Sequence, residues 1–384
     1  TAQPSRRTAH GGQNPSVLGW LRIMIHYQQG YFGISFVFQL YGSVFPKACF
    51  WAVPAALAAG VLHYLLHWLD YTTGQSDSGI SVGMGSFNSV LGFLLVFRTQ
   101  IGYSRWWEGA TLLQEMRGTW FNAYSSLLAF CSADPAKVQQ VQHFHQLLMR
   151  LMSLLFVSAL HQVADMDTAD FEVLDYTELD AESITYLEGC YNKVEVLVQW
   201  LQCLIVSAKR QGTLDIEAPI LSRVFQEFSN GVVHLNNARK IGEYPFPFPF
   251  SQMIAFLMLL HIVMMPTITA MYCRSSGWAM VLTGATVFSF WGLNYIASEI
   301  ENPFGSDSND LPLAEMQRDL NHSLTSLAMS RSRRVPILKK FNVDSLFAIT
   351  LERHSYANLC STSRVFRMDM RPSMNPKVAG MRRR

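Results

Sequence analysis

Four long apolar runs dominate the pattern of hydrophobic and polar positions along the chain. They lie at about Cys49–Leu69, Gly79–Phe97, Ser251–Tyr272 and Gly277–Ala297. Each is close to the ~20 residues that an α-helix needs to cross a hydrocarbon layer of ~30 Å. Short connections join the first run to the second and the third to the fourth, which predicts two transmembrane hairpins. An even number of crossings places both termini on one side of the membrane.

Between the hairpins, apolar positions recur with a helical period, as at Val138, Val141, Phe144 and Leu147. Alternation typical of strands is scarce, so we predict a helical domain outside the membrane. Alternate prolines in Tyr244–Phe250 interrupt any regular helix until Ser251 begins the third run.

The pattern divides the chain into six segments. Residues 1–48 contain an aromatic, amphipathic stretch that predicts an interfacial helix. The first hairpin follows at 49–97, the helical extramembrane domain at 98–250 and the second hairpin at 251–297. A polar turn with a further helix occupies 298–330, and a basic tail occupies 331–384.

Composition agrees with a membrane protein that has a large polar part. Hydrophobic residues make up 49% of the chain and charged residues only 15%, against about a quarter in soluble domains. The net charge of +2 is unevenly divided, because residues 331–384 hold 13 Lys or Arg against 3 Asp or Glu. Such a tail is expected to bind membrane lipids or other subunits of a membrane complex, and nothing indicates a nucleic-acid partner. Residues 1–13 are polar, contain Arg and lack acids, as the remnant of an organellar targeting segment does.

Motifs for catalysis or cofactor binding are missing from the sequence. The six cysteines have neither C-x-x-C spacing nor a compact disulfide pattern, and no zinc-protease, nucleophile-elbow, P-loop or dinucleotide fingerprint occurs. We therefore expect no enzyme and no required cofactor. His63 and His67 are spaced i, i+4 and suit either a metal or tetrapyrrole pair or ordinary packing, and packing is the commoner use.

The second apolar run is unusual because small and polar residues interrupt it. Ser81, Gly85, Ser89 and Phe93 fall on one stripe of the predicted helix. Such a stripe serves either close packing between membrane helices or the lining of a water-filled pore in an oligomer. The residues alone favour packing and leave pore lining open.

Two segments that each follow an apolar run carry a family resemblance. They are Phe97–Gly109, which reads FRTQIGYSRWWEG, and Glu301–Leu313, which reads ENPFGSDSNDLPL. With Gly42–Lys47 and the Pro-aromatic stretch at 245–250, they resemble the ordered landmarks of the bestrophin family of anion channels, closest to its plant, algal and bacterial branch.

The resemblance implies an all-α homopentamer with four transmembrane helices per subunit, whose second helix lines a central pore. It implies a passive anion channel with chloride as permeant ion, in the thylakoid membrane of the chloroplast or, alternatively, the mitochondrial inner membrane. The family's narrow neck has three bulky apolar residues, and here Gly85, Ser89 and Phe93 take those places. Because only Phe93 keeps its bulk, either the neck is wider, or the chain is a non-conducting structural subunit of a larger membrane complex.

Other site residues follow from the same resemblance. Ile220, after Pro219, matches a second constriction, although a buried Ile after a helix-starting Pro is equally ordinary. Arg98 and Arg105 lie where the pore helix leaves the membrane, and they either attract anions or anchor the interface, where Arg105 would pair with Glu108.

Asp307 and Asp310 lie where some relatives bind calcium. Calcium takes six to eight oxygen ligands, of which two carboxylates supply few. A turn that caps the following helix is therefore the favoured interpretation of these two residues.

Overall fold

The computed structural model describes residues 39–69, 78–164 and 171–337, apart from 306, 308, 330 and 333. Within this part of the chain the fold consists of α-helices, one 3-10 turn at Pro135–Lys137 and a single isolated bridge between Cys131 and Leu214. These elements lie in the compact unit that ends at Arg334. The predicted all-α class is confirmed. The predicted interfacial helix and the basic tail fall almost wholly outside the described residues.

The helices are, in chain order, α1 Phe45–Trp68, α2 Ser78–Ala129, α3 Val138–Val163, α4 Ala181–Gly189, α5 Lys193–Arg210, α6 Ala218–Glu243, α7 Phe248–Tyr272, α8 Ser276–Glu301 and α9 Leu313–Ala328. Two helices begin about one turn before the predicted runs, α1 at Phe45 and α7 at Phe248. In both, a proline occupies the first turn, where its missing N–H would have had no partner in any case. The expectation that prolines delay the third run until Ser251 is therefore wrong by one turn.

Helix α2 is a single helix of 52 residues, about 78 Å long at 1.5 Å per residue. It contains the second apolar run and continues past Phe97 to Ala129 without a break. No proline interrupts it, and its glycines are tolerated singly. One rigid element thus connects the predicted membrane hairpin to the extramembrane helices.

Small residues bring α1 and α8 close together. Ala48, Ala52, Ala55 and Ala59 are buried on one face of α1, and a Cβ built on Gly284 of α8 would lie 3.4 Å from the Cβ of Ala56. This is the close packing that small residues allow between membrane helices. Helix α2 joins the group through buried Leu91 and Leu95, which pack with Ile254 and Met258 of α7.

The largest hydrophobic core lies between the second half of α2 and helices α3, α5, α6 and α9. Its largest fully buried side chains include Trp120, Tyr124, Phe156 and Phe228. By length and hydropathy α3 is also long and apolar enough to cross a membrane, so five stretches of the described chain qualify where four were predicted. The apolar face of α3 is buried in this core, so we expect α3 to lie outside the bilayer. The number of membrane crossings stays a prediction.

Candidate pore-lining face and membrane-exit junction

The stripe on α2 faces away from the subunit's own core. Gly85 and Ser89 are exposed, Phe93 is 69% exposed, and a Cβ built on Gly85 would meet no atom within 4 Å. The opposite face of α2 carries the buried Met84 and Leu91. Within the described part of the chain, Gly85 and Ser89 therefore do not pack against another helix. In an oligomer, the face that carries Gly85, Ser89 and Phe93 is available to a pore or to a neighbouring subunit.

The hydroxyl of Ser89 already forms a hydrogen bond within its own helix. Its Oγ donates to the carbonyl oxygen of Gly85 at 2.8 Å. A serine has a single hydroxyl proton, so the side chain presents lone pairs rather than a donor to its surroundings. Ser89 can hold water beside the stripe, but in this rotamer it cannot donate a hydrogen bond to an anion.

The two signature segments meet in space at the end of the predicted spans, around Glu301. Its Oε2 accepts from Arg98 Nη2 at 2.9 Å, and its Oε1 accepts from the backbone N–H of Phe246 at 3.3 Å. Its backbone oxygen accepts from Arg105 Nε at 3.0 Å. Arg98 also donates to the side chain of Asn294 at 2.7 Å. One carboxylate thus joins α2, α8 and the proline-rich link, and we name this region the membrane-exit junction.

Close packing reinforces the same junction. A Cβ built on Gly109 would lie 2.9 Å from the ring of Phe304 and 3.1 Å from Pro303. Phe304 is 2% exposed. Phe304 of the second signature segment therefore packs against the α2 backbone at Gly109, the last residue of the first segment. The sequence order of the two segments carried the family signal, but nothing in either segment predicts that they contact each other.

Arg105 donates hydrogen bonds to the C-terminal end of α6, and not to Glu108 as the sequence suggested. Its Nη1 donates to the carbonyl of Tyr244 at 2.8 Å and its Nη2 to that of Ile241 at 2.6 Å. Among the ion pairs of the described residues there is none between Arg105 and Glu108, so that expected pairing is wrong. Carbonyls at a helix C-terminus lack helical partners, and a guanidinium satisfies them well. The attraction of anions by Arg98 and Arg105 stays a prediction.

Asp310 is the buried carboxylate of the turn before α9. It is 5% exposed, its Oδ2 accepts from the N–H of Asp307 at 2.6 Å, and its buried Oδ1 has no hydrogen-bond partner among the described residues. The pKa of this carboxyl is raised to about 6, mainly by burial and in part by the nearby carboxylates of Asp307 and Glu299, although the hydrogen bond from the N–H of Asp307 lowers it. Lys47 forms an ion pair with Glu299 at 2.8 Å.

These residues do not fit a calcium ion. Calcium takes six to eight oxygens, and no group of three His, Cys, Asp or Glu suited to a metal occurs in the described part of the chain. A lysine already compensates the neighbouring carboxylate of Glu299, and Asp310 acts as the acceptor that closes its own turn. The geometry agrees with the turn-forming interpretation of Asp307 and Asp310.

Ile220 lies in the first turn of α6 and is 44% exposed. The alternative to a second constriction was an ordinary buried Ile after a helix-starting proline, and within the described part of a single chain this side chain is not buried. The side chain is available to something outside the subunit, and its role as a constriction stays a prediction.

Histidines occupy two places in the predicted membrane hairpins. His63 is buried with Nε2 3.1 Å from the carbonyl of Cys273, while His67 is exposed, which agrees with packing rather than a joint metal site. His261 of α7 is fully buried, and in the described part of the chain neither of its ring nitrogens has a hydrogen-bond partner. It lies between the rings of Phe87 and Phe290. Sequence reasoning passed over His261, although a lone histidine in an apolar run was the available signal.

Comparison with known proteins agrees with this fold. The profile of the family described as "Bacterial/Fungal Bestrophin protein" matches residues 24–326. The chain is similar to a voltage-dependent anion channel-forming protein of Nostoc sp., with 27% identity over 76% of the chain and 91% of the relative. It is also similar to a protein of that name from Mesorhizobium japonicum, with 24% identity over 73% and 84%.

Among solved structures, the chain resembles a mutated bacterial bestrophin homologue from Klebsiella pneumoniae. The TM-score is 0.59 with 17% identity, over 74% of this chain and 99% of that one, so this likeness concerns the fold. The family profile covers well over half of the sequence, and its range includes both signature segments and, of the helices in the described residues, α1 to α8 and all but the last two residues of α9. The chain is an integral membrane protein that belongs to the bestrophin family.

Proposed function

We propose that the chain is a subunit of a passive anion channel in an organellar membrane, with chloride as the permeant ion and no catalytic role. Five copies surround a central axis, and the α2 stripe of each copy faces that axis. The observation that carries the proposal is the exposure of Gly85, Ser89 and Phe93 on one face of α2, in a chain whose relatives are named anion channel-forming proteins.

In this arrangement, Phe93 provides the selectivity for anions over cations. Small residues at Gly85 and Ser89 leave a wide, wet entrance, and Ser89 offers no donor because its proton bonds Gly85. An anion first loses water where the five Phe93 rings narrow the path. The positive edges of aromatic rings compensate an anion there, whereas a cation receives no such compensation. Ile220 forms the second constriction, and the positive charge of Arg98 and Arg105 raises the anion concentration near the membrane exit.

Replacement of the ring tests the pathway directly. We expect Phe93→Ala to conduct and to lose selectivity for chloride over cations, because the dehydrating constriction disappears. The measurement is the reversal potential in planar bilayers under a KCl gradient. Phe256→Ala is the matched control, since Phe256 of α7 is 60% exposed but lies on another helix, and its reversal potential should equal that of the unmodified chain. Equal reversal potentials for the two variants would contradict the proposal.

The second candidate is a non-conducting structural subunit of a larger membrane complex. The absence of bulk at Gly85 and Ser89 supports it, because a neck without its apolar rings has lost the family's usual constriction. Absence of current from the reconstituted chain at every voltage and ionic condition would favour this alternative. Fractionation of the source cells tests the compartment, which we propose to be the thylakoid membrane, with the mitochondrial inner membrane as the other expectation.

A further inference from the structure

A cavity of about 340 Å³ opens at the membrane-exit junction, between α2, α8 and the link from α6 to α7. Its polar lining comes from the side chains of Arg98, Arg105, Ser298, Asn302 and Glu301. Ser298 and Asn302 stand one turn apart at the end of α8 and are both exposed. The hydrogen bonds of the junction therefore leave a polar cavity open beside them.

Hydrogen-bond donors outnumber acceptors in this cavity. Both carboxylate oxygens of Glu301 are already bonded, and the buried Nε of Arg98 has no hydrogen-bond partner among the described residues. Arg105 donates only to backbone carbonyls and faces no carboxylate of the described residues. With two guanidiniums against one carboxylate, the lining carries one net positive charge.

Two further donors of the cavity are unused. The side chains of Ser298 and Asn302 form no hydrogen bond within the described part of the chain, and each can donate. Guanidinium groups bind the oxygens of phosphate and carboxylate strongly, and hydroxyl and amide groups complete such sites. The chemistry of the lining thus fits an oxyanion.

The position of the cavity narrows the choice of oxyanion. Arg98 directly follows the end of the second apolar run, Ser298 directly follows the end of the fourth, and Ser251 begins the third. The cavity therefore lies at the depth of the lipid headgroups. Exposed aromatic side chains surround this level, namely Phe97, Tyr244, Phe248 and Phe250, at 42%, 66%, 71% and 48% exposure. Aromatic rings at this depth are favoured neighbours of the upper acyl chains.

We propose that this cavity binds the phosphate of an anionic membrane lipid, whose acyl chains lie along the aromatic side chains around it. The lipid couples α2, α8 and the proline-rich link at the point where they leave the bilayer. This site is separate from the α2 stripe and does not depend on whether the stripe conducts ions.

The test uses the full chain purified in detergent and titrated with phosphatidylglycerol or phosphatidylcholine of the same acyl chains. Bound lipid is counted by native mass spectrometry. Ser298→Glu places a carboxylate at the cavity, and we expect it to weaken phosphatidylglycerol binding roughly tenfold, since like charges in partly buried surroundings repel by a few kcal/mol at most. Ser326→Glu on α9 is the matched control, because Ser326 is an exposed helical serine outside the cavity, and it should bind lipid as the unmodified chain does.

Each result either supports the proposal or overturns it. Preference for phosphatidylglycerol over phosphatidylcholine that is lost in Ser298→Glu, and lost again in Asn302→Asp, supports it. Equal binding of the two lipids, or equal binding by Ser298→Glu and Ser326→Glu, overturns it. If inorganic phosphate raises the melting temperature in a manner that Ser298→Glu abolishes, while phosphatidylglycerol does not compete with it, the site takes a soluble oxyanion and the lipid assignment is wrong.

Discussion

At the scale of single residues, Glu301 is the position on which the membrane-exit junction depends. Its side chain is 19% exposed, and its partner Arg98 is 14% exposed, so the pair is largely shielded from water. A buried ion pair adds little to the free energy of unfolding when it is compared with a pair of apolar side chains. Removal of one partner alone is costly, because the other charge then stays buried without compensation. Among the described residues, the amide oxygen of Asn294 and the ring of Phe246 would then remain beside the Arg98 guanidinium, and neither carries a negative charge.

We predict that Glu301→Gln destabilises the chain by roughly 2–3 kcal/mol, because the Arg98 charge stays buried when its counter-charge is removed. The measurement is the thermal unfolding midpoint in detergent. Glu243→Gln is the matched control. Glu243 pairs with Arg239 one turn earlier on α6 and is 55% exposed, and surface pairs of this kind contribute less than about 1 kcal/mol. Equal midpoints for the two variants would mean that Glu301 does not hold the junction.

At the scale of elements, α2 and α6 come very close together in the extramembrane domain. Gly231 of α6 faces Trp120 of α2, and a Cβ built on Gly231 would overlap the indole ring. The same indole nitrogen donates to the carbonyl of Phe228 at 3.4 Å. Trp120 is fully buried, so it cannot move aside without disturbing the core. The two helices approach this closely only because residue 231 has no side chain.

We predict that Gly231→Ala destabilises the extramembrane domain by about 1–3 kcal/mol or prevents folding, as overpacking of a filled core does. Gly118→Ala on α2 is the matched control. A Cβ built on Gly118 meets no atom within 4 Å, so alanine there should stabilise the helix by about 0.5–1 kcal/mol. Circular dichroism during heating measures both. A Gly231→Ala protein as stable as Gly118→Ala would exclude the close contact.

At the scale of the whole molecule, the described residues of one chain do not enclose a pathway, because Gly85, Ser89 and Phe93 of α2 are exposed on its outer side. Exposed apolar side chains also cover α1, α7 and α8, among them Phe50, Trp68, Phe256 and Trp278. Exposed apolar surface of this extent is covered by lipid or by other subunits. A closed ring of copies that brings the stripes together accounts for both features.

We predict that the purified chain is a homopentamer, with a mass in native mass spectrometry five times that of the chain. Introduction of a charge into the stripe by Ser89→Lys should leave the subunit folded and lower the fraction of pentamer, since five like charges would then surround one axis. Thr325→Lys, at an exposed position of α9, is the control and should not change the mass. A single copy among unrelated subunits would contradict the ring and support the structural alternative.

The sequence predicted the four apolar helices, the helical domain between the hairpins and the all-α class, because each of these follows from local periodicity and run length. It misplaced the starts of α1 and α7 by about one turn. A proline usually ends or interrupts a helix, but in the first turn of a helix it is tolerated, and both of these helices have one there. It also left α2 divided at Phe97, where the apolar pattern ends but the hydrogen-bonded helix does not.

By itself the sequence determined the family, the membrane location and the positions of Gly85, Ser89 and Phe93 on one helical stripe, because motif order and helical period are properties of the linear chain. Only the tertiary structure decided that the stripe faces outward, that Arg105 binds carbonyls rather than Glu108, and that Glu301 joins the two signature segments. Those contacts join residues about 140 to 200 positions apart in sequence. Their geometry depends on how α2, α6 and α8 pack together, and that information is not contained in any local stretch of the chain.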